Sequence, residues 1–222
     1  MSDEDFLESA YPSVVGEIAQ RLLVCESKLA DLIGGHANPD AWIGSDLVTL
    51  QVRKICEMLL LGSALVHLNE GESTFDLTKW HPKDTFAELN GLSEHPLPVP
   101  IELNFREHAS GNRQIMPACK PVPYKILSTI YGRCNDLLHV PSVAKILRGK
   151  VQPFDIGLFQ NWVAGFKRII AGHVLMMPNR NKILLCTWSG KFDEKPSVFL
   201  MEADGPSTFD LDSLPDFALL PT

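Results

Sequence analysis

DLVTLQVRKICEMLLLGSALVHL, residues 46–68, is the stretch of this sequence that decides the fold. It contains no proline, and its leucines, valines and isoleucines recur at spacings of three and four. Few polar residues remain on any side of the helix that this spacing predicts. A helix that is apolar nearly all round lies either at the centre of a bundle or in an interface between chains. The stretch therefore predicts a mainly helical protein built around this one element.

Three further segments carry the apolar stripe of an amphipathic helix. Residues 14–33 place apolar side chains at every third or fourth position, and Gly34-Gly35 follows them as a stop signal. Residues 124–139 and 155–172 show the same spacing. Together with the central segment they predict a helical bundle. Two shorter helices are expected, at 82–92 and up to Arg148.

Beyond residue 172 the apolar period changes from that of a helix to that of a strand. Three runs rich in β-branched and aromatic residues follow, separated by turns, at 173–177, 182–189 and 197–203. We therefore predict a small C-terminal antiparallel β-meander, in residues 173–222, packed on a helical bundle formed by residues 1–172. Residues 94–123 contain repeated prolines, so we expect a long loop there.

The composition limits the classes of function. The chain has 222 residues and a net charge of −7, and an acidic surface repels nucleic acid unless a local basic site opposes it. No apolar run reaches the roughly 20 residues of a membrane-spanning helix, and the acidic start differs from a secretory signal. The five cysteines include no CxxC pair, which is typical of free thiols in a reducing cytosol. We expect a cytoplasmic protein without membrane contact, cofactor or bound metal.

The segment RCNDLLH, residues 133–139, brings three chemically useful side chains to one helix. Arg133, Asp136 and His139 follow each other at intervals of three, so they form a stripe that drifts by about 120° around the helix. A histidine that titrates near neutrality can take a proton from a ribose 2′-hydroxyl. An arginine can stabilise the charge that develops on the phosphate, and Asp136 can orient either partner. The set predicts RNA cleavage that needs no metal ion.

An arginine followed after a few residues by a histidine, at the end of a bundle helix, resembles the motif of the HEPN superfamily. The segments LQVRKICE (50–57) and YGRCNDLLH (131–139) are similar to those of uncharacterised bacterial HEPN-like proteins, and the resemblance covers residues 12–140. It implies a small all-α homodimer in which two motifs meet in one cleft and cleave RNA. It also implies a role in phage defence or in a toxin–antitoxin pair, with a cognate protein as partner. Glu57 on the long helix would then fix Arg133 or His139 across the bundle.

A second arginine–histidine pair has a matching spacing. Arg168 and His173 lie five residues apart, at the point where the last helix gives way to a strand. This setting differs from the helix end in which the motif is expected. Both pairs therefore stay open as candidates on the sequence.

The first motif also has a structural interpretation. Arg133 and Asp136 suit an ordinary helix end, with His139 bound to the last carbonyl groups. Arg53 and Glu57 likewise suit an ion pair within one helix, because they lie four residues apart. Some HEPN-like proteins lack the catalytic set and act as scaffolds. The sequence thus predicts either a metal-independent endoribonuclease or a non-catalytic scaffold, dimeric in both cases through the long helix.

Overall fold

The computed structural model shows a mainly helical chain with a small antiparallel sheet at its C-terminal end, which confirms the predicted fold class. The structure describes residues 3–34, 41–68, 82–92, 95–102, 106–107, 113–139, 147, 153–177, 182–191, 194–202 and 213–217. These residues include five helices, α1 (Asp3–Ile33), α2 (Ala41–Leu68), α3 (Pro82–Leu92), α4 (Tyr124–Leu138) and α5 (Ile156–Ala171). They also include six strands, β1 (Val99–Pro100), β2 (Arg106–Glu107), β3 (Arg113–Gln114), β4 (Gly172–Met176), β5 (Lys182–Thr187) and β6 (Ser197–Glu202).

The central position of α2 explains its apolar sequence. α2 contacts α1, α3, α4 and α5, and its buried apolar residues run from Val48 to Val66. Packing inside the chain therefore accounts for apolar residues on several sides of this helix. The pattern gives no separate reason to place a dimer interface along α2. No described helix is long and apolar enough to cross a bilayer.

α1 begins at Asp3, well before the apolar stripe that predicts it, and it continues through Pro12. A proline inside a helix removes one amide donor and favours a break. Here Tyr11 is buried against the core, and the Ser13 hydroxyl donates to the carbonyl of Ser9 at 2.9 Å. We attribute the unbroken helix to the burial of Tyr11, a tertiary contact that a local sequence pattern does not reveal.

α2 also begins earlier than predicted, at Ala41 instead of residue 46. Gly44 lies inside the helix, where an added Cβ would come within 3.4 Å of a methyl group of Leu32. The Ser45 hydroxyl donates to the carbonyl of Trp42 at 2.8 Å, so it bonds back along the helix instead of capping it. The absence of a side chain at Gly44 lets the end of α1 pack closely on the start of α2.

The sheet has four strands in the order β1-β4-β5-β6, all antiparallel to their neighbours. The predicted meander supplies β4, β5 and β6. β1 comes from the proline-rich segment expected to be a loop, with Val99 paired to Val174 and Pro100 to His173. Proline is tolerated there because β1 lies at an edge of the sheet. The same segment contains a second short antiparallel pair, β2 and β3.

The sheet packs on the bundle and shares its core. Leu175, Leu184 and Cys186 point to the side of the helices and join the main core cluster. Val174 and Leu185 belong to a second, smaller cluster formed with the segment around β1. The helix expected up to Arg148 lies outside the described residues, apart from Leu147, which is helical.

Candidate functional site

Helix α4 carries the predicted catalytic residues and packs against α2. Its buried face consists of Leu127, Ile130 and Cys134. The helix ends at Leu138, and His139 is its C-terminal cap residue with an extended backbone. The sequence therefore predicts the position of the helix end correctly, and His139 lies beyond its last helical residue.

Arg133 lies inside α4, whereas His139 follows the last helical residue. Arg133 is half-buried, and its Nε is buried without a hydrogen-bond partner in the described part of the chain. Asp136 and His139 are exposed. Among the residues described, no hydrogen bond or ion pair joins Arg133 to His139 or Glu57, and the catalytic set stays a prediction.

Glu57 is bound by two cations of its own helix. Arg53 Nε lies 3.2 Å from one carboxylate oxygen of Glu57, and Lys54 Nζ lies 2.7 Å from the other. The Glu57 side chain is only 13% exposed, which leaves little of it accessible to other groups. The structure therefore shows the ordinary pair within one helix, and not a contact from Glu57 to Arg133 or His139.

A polar contact between α2 and α4 is made by Arg53 and Tyr131. An Arg53 amino group donates to the Tyr131 hydroxyl at 3.2 Å, and the guanidinium carbon lies 5.1 Å from the ring centroid. Burial acts to lower the pKa of Arg53, but the hydrogen bond with Tyr131 and the charge of Glu57 outweigh it and raise the pKa. Tyr131 was not predicted from the sequence as a functional residue. Its only signal was its place one turn before Cys134, on the side of α4 that faces α2.

The thiol of Cys134 is a structural group in this setting. Burial raises its pKa to about 12, although the charges of Arg53 and Arg133 act in the opposite direction. Cys25 and Cys56, from α1 and α2, are also buried, and burial raises the pKa of both thiols. A thiol with a raised pKa is a poor nucleophile at neutral pH. These three cysteines therefore act as small apolar side chains in the core.

In the second arginine–histidine pair, Arg168 and His173, the histidine has a structural role. His173 is completely buried, whereas Arg168 is exposed on α5. The two ring nitrogens of His173 lie 2.8 Å from the carbonyl of Ile169 and 2.6 Å from the hydroxyl of Tyr11. Burial lowers the pKa of His173 to about 4, so the ring is neutral at physiological pH. A sealed, neutral and fully bonded histidine has no access to a substrate.

Several exposed apolar residues lie where α1 ends and α2 begins. Ile33 is the last residue of α1, and Trp42 and Ile43 lie in the first turn of α2. Their exposed fractions are 54%, 66% and 48%, and Leu50 follows two turns later on the face of Ile43 at 40%. We call these four residues the hairpin-end patch. The sequence did not predict this patch, because the central helix is expected to begin only at residue 46, after Trp42 and Ile43.

Comparison with known proteins leaves the chain without an assigned family. No family model matches it, and neither a curated protein nor a solved structure does.

Proposed function

We propose that the chain is a HEPN-like interaction protein without catalytic activity, which binds a protein partner through the hairpin-end patch. The observation that carries this proposal is the exposure of Ile33, Trp42, Ile43 and Leu50 at one end of the bundle. Large exposed apolar residues grouped at neighbouring helix ends are typical of surfaces that bind other proteins. Tryptophan in particular is enriched among the residues that contribute most to the binding free energy of such interfaces.

The charges around the patch favour a protein partner over nucleic acid. Lys28 binds Asp31 at 2.9 Å beside the end of α1, and Asp46 is exposed in the second turn of α2. Further along α2, Lys54 is bound to Glu57. RNA binding depends on cations that neutralise phosphates, and Lys28 and Lys54 are already paired with carboxylates. An apolar centre with a rim of mixed charge is the usual composition of a protein–protein interface.

A second candidate is a metal-independent endoribonuclease. It is favoured by the Arg133 guanidinium, whose buried Nε has no partner among the described residues, and by the exposure of His139 on the same helix. An unsatisfied buried donor calls for an explanation, and a bound phosphate group would provide one. The resemblance to the HEPN superfamily implies that two such motifs meet in one cleft, so a second copy of the chain would supply the other half of this site.

An RNA cleavage assay distinguishes the two candidates. The wild-type chain, His139→Ala and Arg133→Ala are incubated with single-stranded RNA in excess chelator, and their unfolding midpoints are measured in parallel. An interaction protein is expected to give no cleavage above the buffer blank and no difference among the three. Metal-independent cleavage by the wild type that is lost in folded His139→Ala would overturn the proposal in favour of the nuclease.

A further inference from the structure

An unpaired carboxylate lies inside the hairpin-end patch. Asp46 follows Trp42 by one turn of α2 and precedes Leu50 by another. A step of four residues moves only about 40° around a helix, so the three side chains share one face of α2. All three are exposed, and Asp46 has no hydrogen-bond or ion-pair partner among the described residues. A surface that covers both Trp42 and Leu50 therefore also covers this carboxylate.

Burial of the Asp46 carboxylate under a partner requires a cation. An ionised group that loses its water on binding lowers the affinity unless an opposite charge replaces that water. The neighbouring lysines do not supply this charge, because Lys28 is bound to Asp31 and Lys54 to Glu57. The whole chain has a net charge of −7, so it holds no excess of cations. The compensating charge must therefore come from the partner.

Trp42 favours arginine over lysine as that cation. The Trp42 side chain is 66% exposed. Helix side chains lean towards the N-terminus, so Asp46 leans towards the turn that holds Trp42. A guanidinium group is flat, stacks on an aromatic face and donates two parallel hydrogen bonds to a carboxylate. A lysine ammonium has no flat face to stack. An exposed indole one turn before an unpaired carboxylate is therefore a good match for an arginine side chain.

The chain already binds one of its own arginines in this way. The guanidinium carbon of Arg53 lies 5.1 Å from the centroid of the Tyr131 ring, and Arg53 Nε lies 3.2 Å from a carboxylate oxygen of Glu57. The ring, the cation and the carboxylate meet there between two packed helices. Trp42 and Asp46 supply a ring and a carboxylate on the same helix, and no described cation is paired with this carboxylate.

We infer that the partner presents an arginine to the hairpin-end patch, with its guanidinium over Trp42 and its hydrogen bonds directed to Asp46. The inference rests on the proposed function, because Asp46 is buried only if a partner covers the patch. It adds the chemistry of the contact segment, which is basic with apolar flanks and neither acidic nor wholly apolar. The apolar flanks lie against Ile43 and Leu50, on either side of Asp46 along α2.

Short probe peptides test this recognition without the partner. The full chain, isotope-labelled for NMR, is titrated with acetyl-Leu-Arg-Leu-amide and with the peptides that carry lysine or glutamate in place of arginine. The arginine peptide is expected to shift the signals of the Trp42 indole and the Asp46 amide. It is also expected to bind at least about threefold more tightly than the lysine peptide. Asp46→Lys is expected to reverse the order, so that the glutamate peptide binds best.

Two further variants serve as controls. Glu202→Lys changes the net charge equally but lies on the sheet, in β6, and is expected to keep the wild-type order. Trp42→Leu keeps an apolar side chain without an aromatic face, and is expected to remove most of the advantage of arginine over lysine. Equal binding of the arginine and lysine peptides by the wild type would overturn the inference. So would an unchanged order in Asp46→Lys, or the same reversal in Glu202→Lys.

Cross-linking in cells separates a failure of this inference from a failure of the proposed function. With a photoreactive amino acid at position 43, the product with a partner protein is expected to be lost in Asp46→Lys and kept in Glu202→Lys. A product that Asp46→Lys leaves unchanged overturns the arginine recognition and leaves the interaction role standing. No product in the wild type overturns the interaction role, and the inference with it.

Discussion

The hydroxyl of Tyr11 lies 2.6 Å from Nε2 of His173, and this buried contact joins the first helix to the strand that follows the last helix. His173 Nδ1 lies 2.8 Å from the carbonyl of Ile169, which can only accept, so Nδ1 carries the proton. Nε2 is then an acceptor, and the Tyr11 hydroxyl donates to it. Burial raises the pKa of Tyr11 well above its usual value, which keeps that hydroxyl protonated.

Removing the Tyr11 hydroxyl is expected to destabilise the fold. Tyr11→Phe leaves Nε2 of His173 buried without a partner, which costs about 1–3 kcal/mol of the free energy of unfolding. Tyr131→Phe is the matched control, because it removes a hydroxyl whose bond to Arg53 is only partly buried. We expect the control to lose less than about 1 kcal/mol. Urea unfolding measures both, and equal losses would contradict a special role for the Tyr11 contact.

The stability of the fold is expected to fall in mild acid. Burial lowers the pKa of His173 from its ordinary value of 6.5 to about 4, so the folded chain favours the neutral ring. The stabilisation is complete above pH 6.5 and is lost as the pH falls from 6.5 towards 4, because the unfolded chain takes up the proton first. The difference corresponds to about 3 kcal/mol. Urea unfolding at several pH values measures it, and a flat profile between pH 6.5 and 4.5 would contradict the assignment.

Replacing His67 and replacing His173 by leucine are expected to have opposite effects on the stability of the fold. The His67 side chain is completely buried and burial lowers its pKa, yet neither ring nitrogen has a hydrogen bond of acceptable geometry to a described residue. The Pro96 carbonyl affects this pKa only as a smaller, opposing influence. We expect His67→Leu to be neutral or stabilising, since it removes an unsatisfied polar ring. His173→Leu should instead destabilise by about 2 kcal/mol or more, because it leaves Tyr11 and Ile169 unpartnered. Equal effects in thermal unfolding would contradict this distinction.

Gly62 in α2 is expected to be required, because the ring of Tyr11 leaves no room for a larger side chain there. A Cβ at Gly62 would lie 3.1 Å from a ring carbon of Tyr11 and 3.4 Å from Val14. The hydrogen bond to His173 holds that ring, so it cannot move away easily. Gly62→Ala should therefore destabilise by about 1 kcal/mol, although alanine favours a helix. Gly132→Ala on α4, which meets nothing within 4 Å, should stabilise by up to about 1 kcal/mol. Stabilisation by both substitutions would show that Tyr11 is free to move.

The sequence predicts the helices and strands well where one periodic face meets one core. The centres of α2, α4 and α5, and the three strands of the meander, follow from spacing alone. The starts of α1 and α2 do not follow from spacing. They depend on the hydrogen bond between Tyr11 and His173 and on the close packing of Leu32 against Gly44. β1 also escapes prediction, since a strand that contains Pro100 forms only because β4 offers it an edge.

The candidate site was harder to predict than the fold. A spacing such as that of Arg133 and His139 gives the side-chain directions on a helix, but not which of the two groups the neighbouring elements bury. Glu57 illustrates the same limit, because its carboxylate binds Arg53 and Lys54 of its own helix. The exposure of Trp42 and Ile43 could not be predicted either, since apolar residues at the start of a helix are equally compatible with a buried position.

The most direct test of the central claim is site-specific cross-linking at the hairpin-end patch. A photoreactive amino acid is placed at position 43, next to Trp42, in the full chain expressed in its own cells, with position 129 on the exposed side of α4 as control. We predict one discrete covalent product with another protein at position 43, none at position 129, and loss of that product when Trp42→Glu is added. No product at position 43, a product made only of this chain, or a product that Trp42→Glu leaves unchanged would contradict the account.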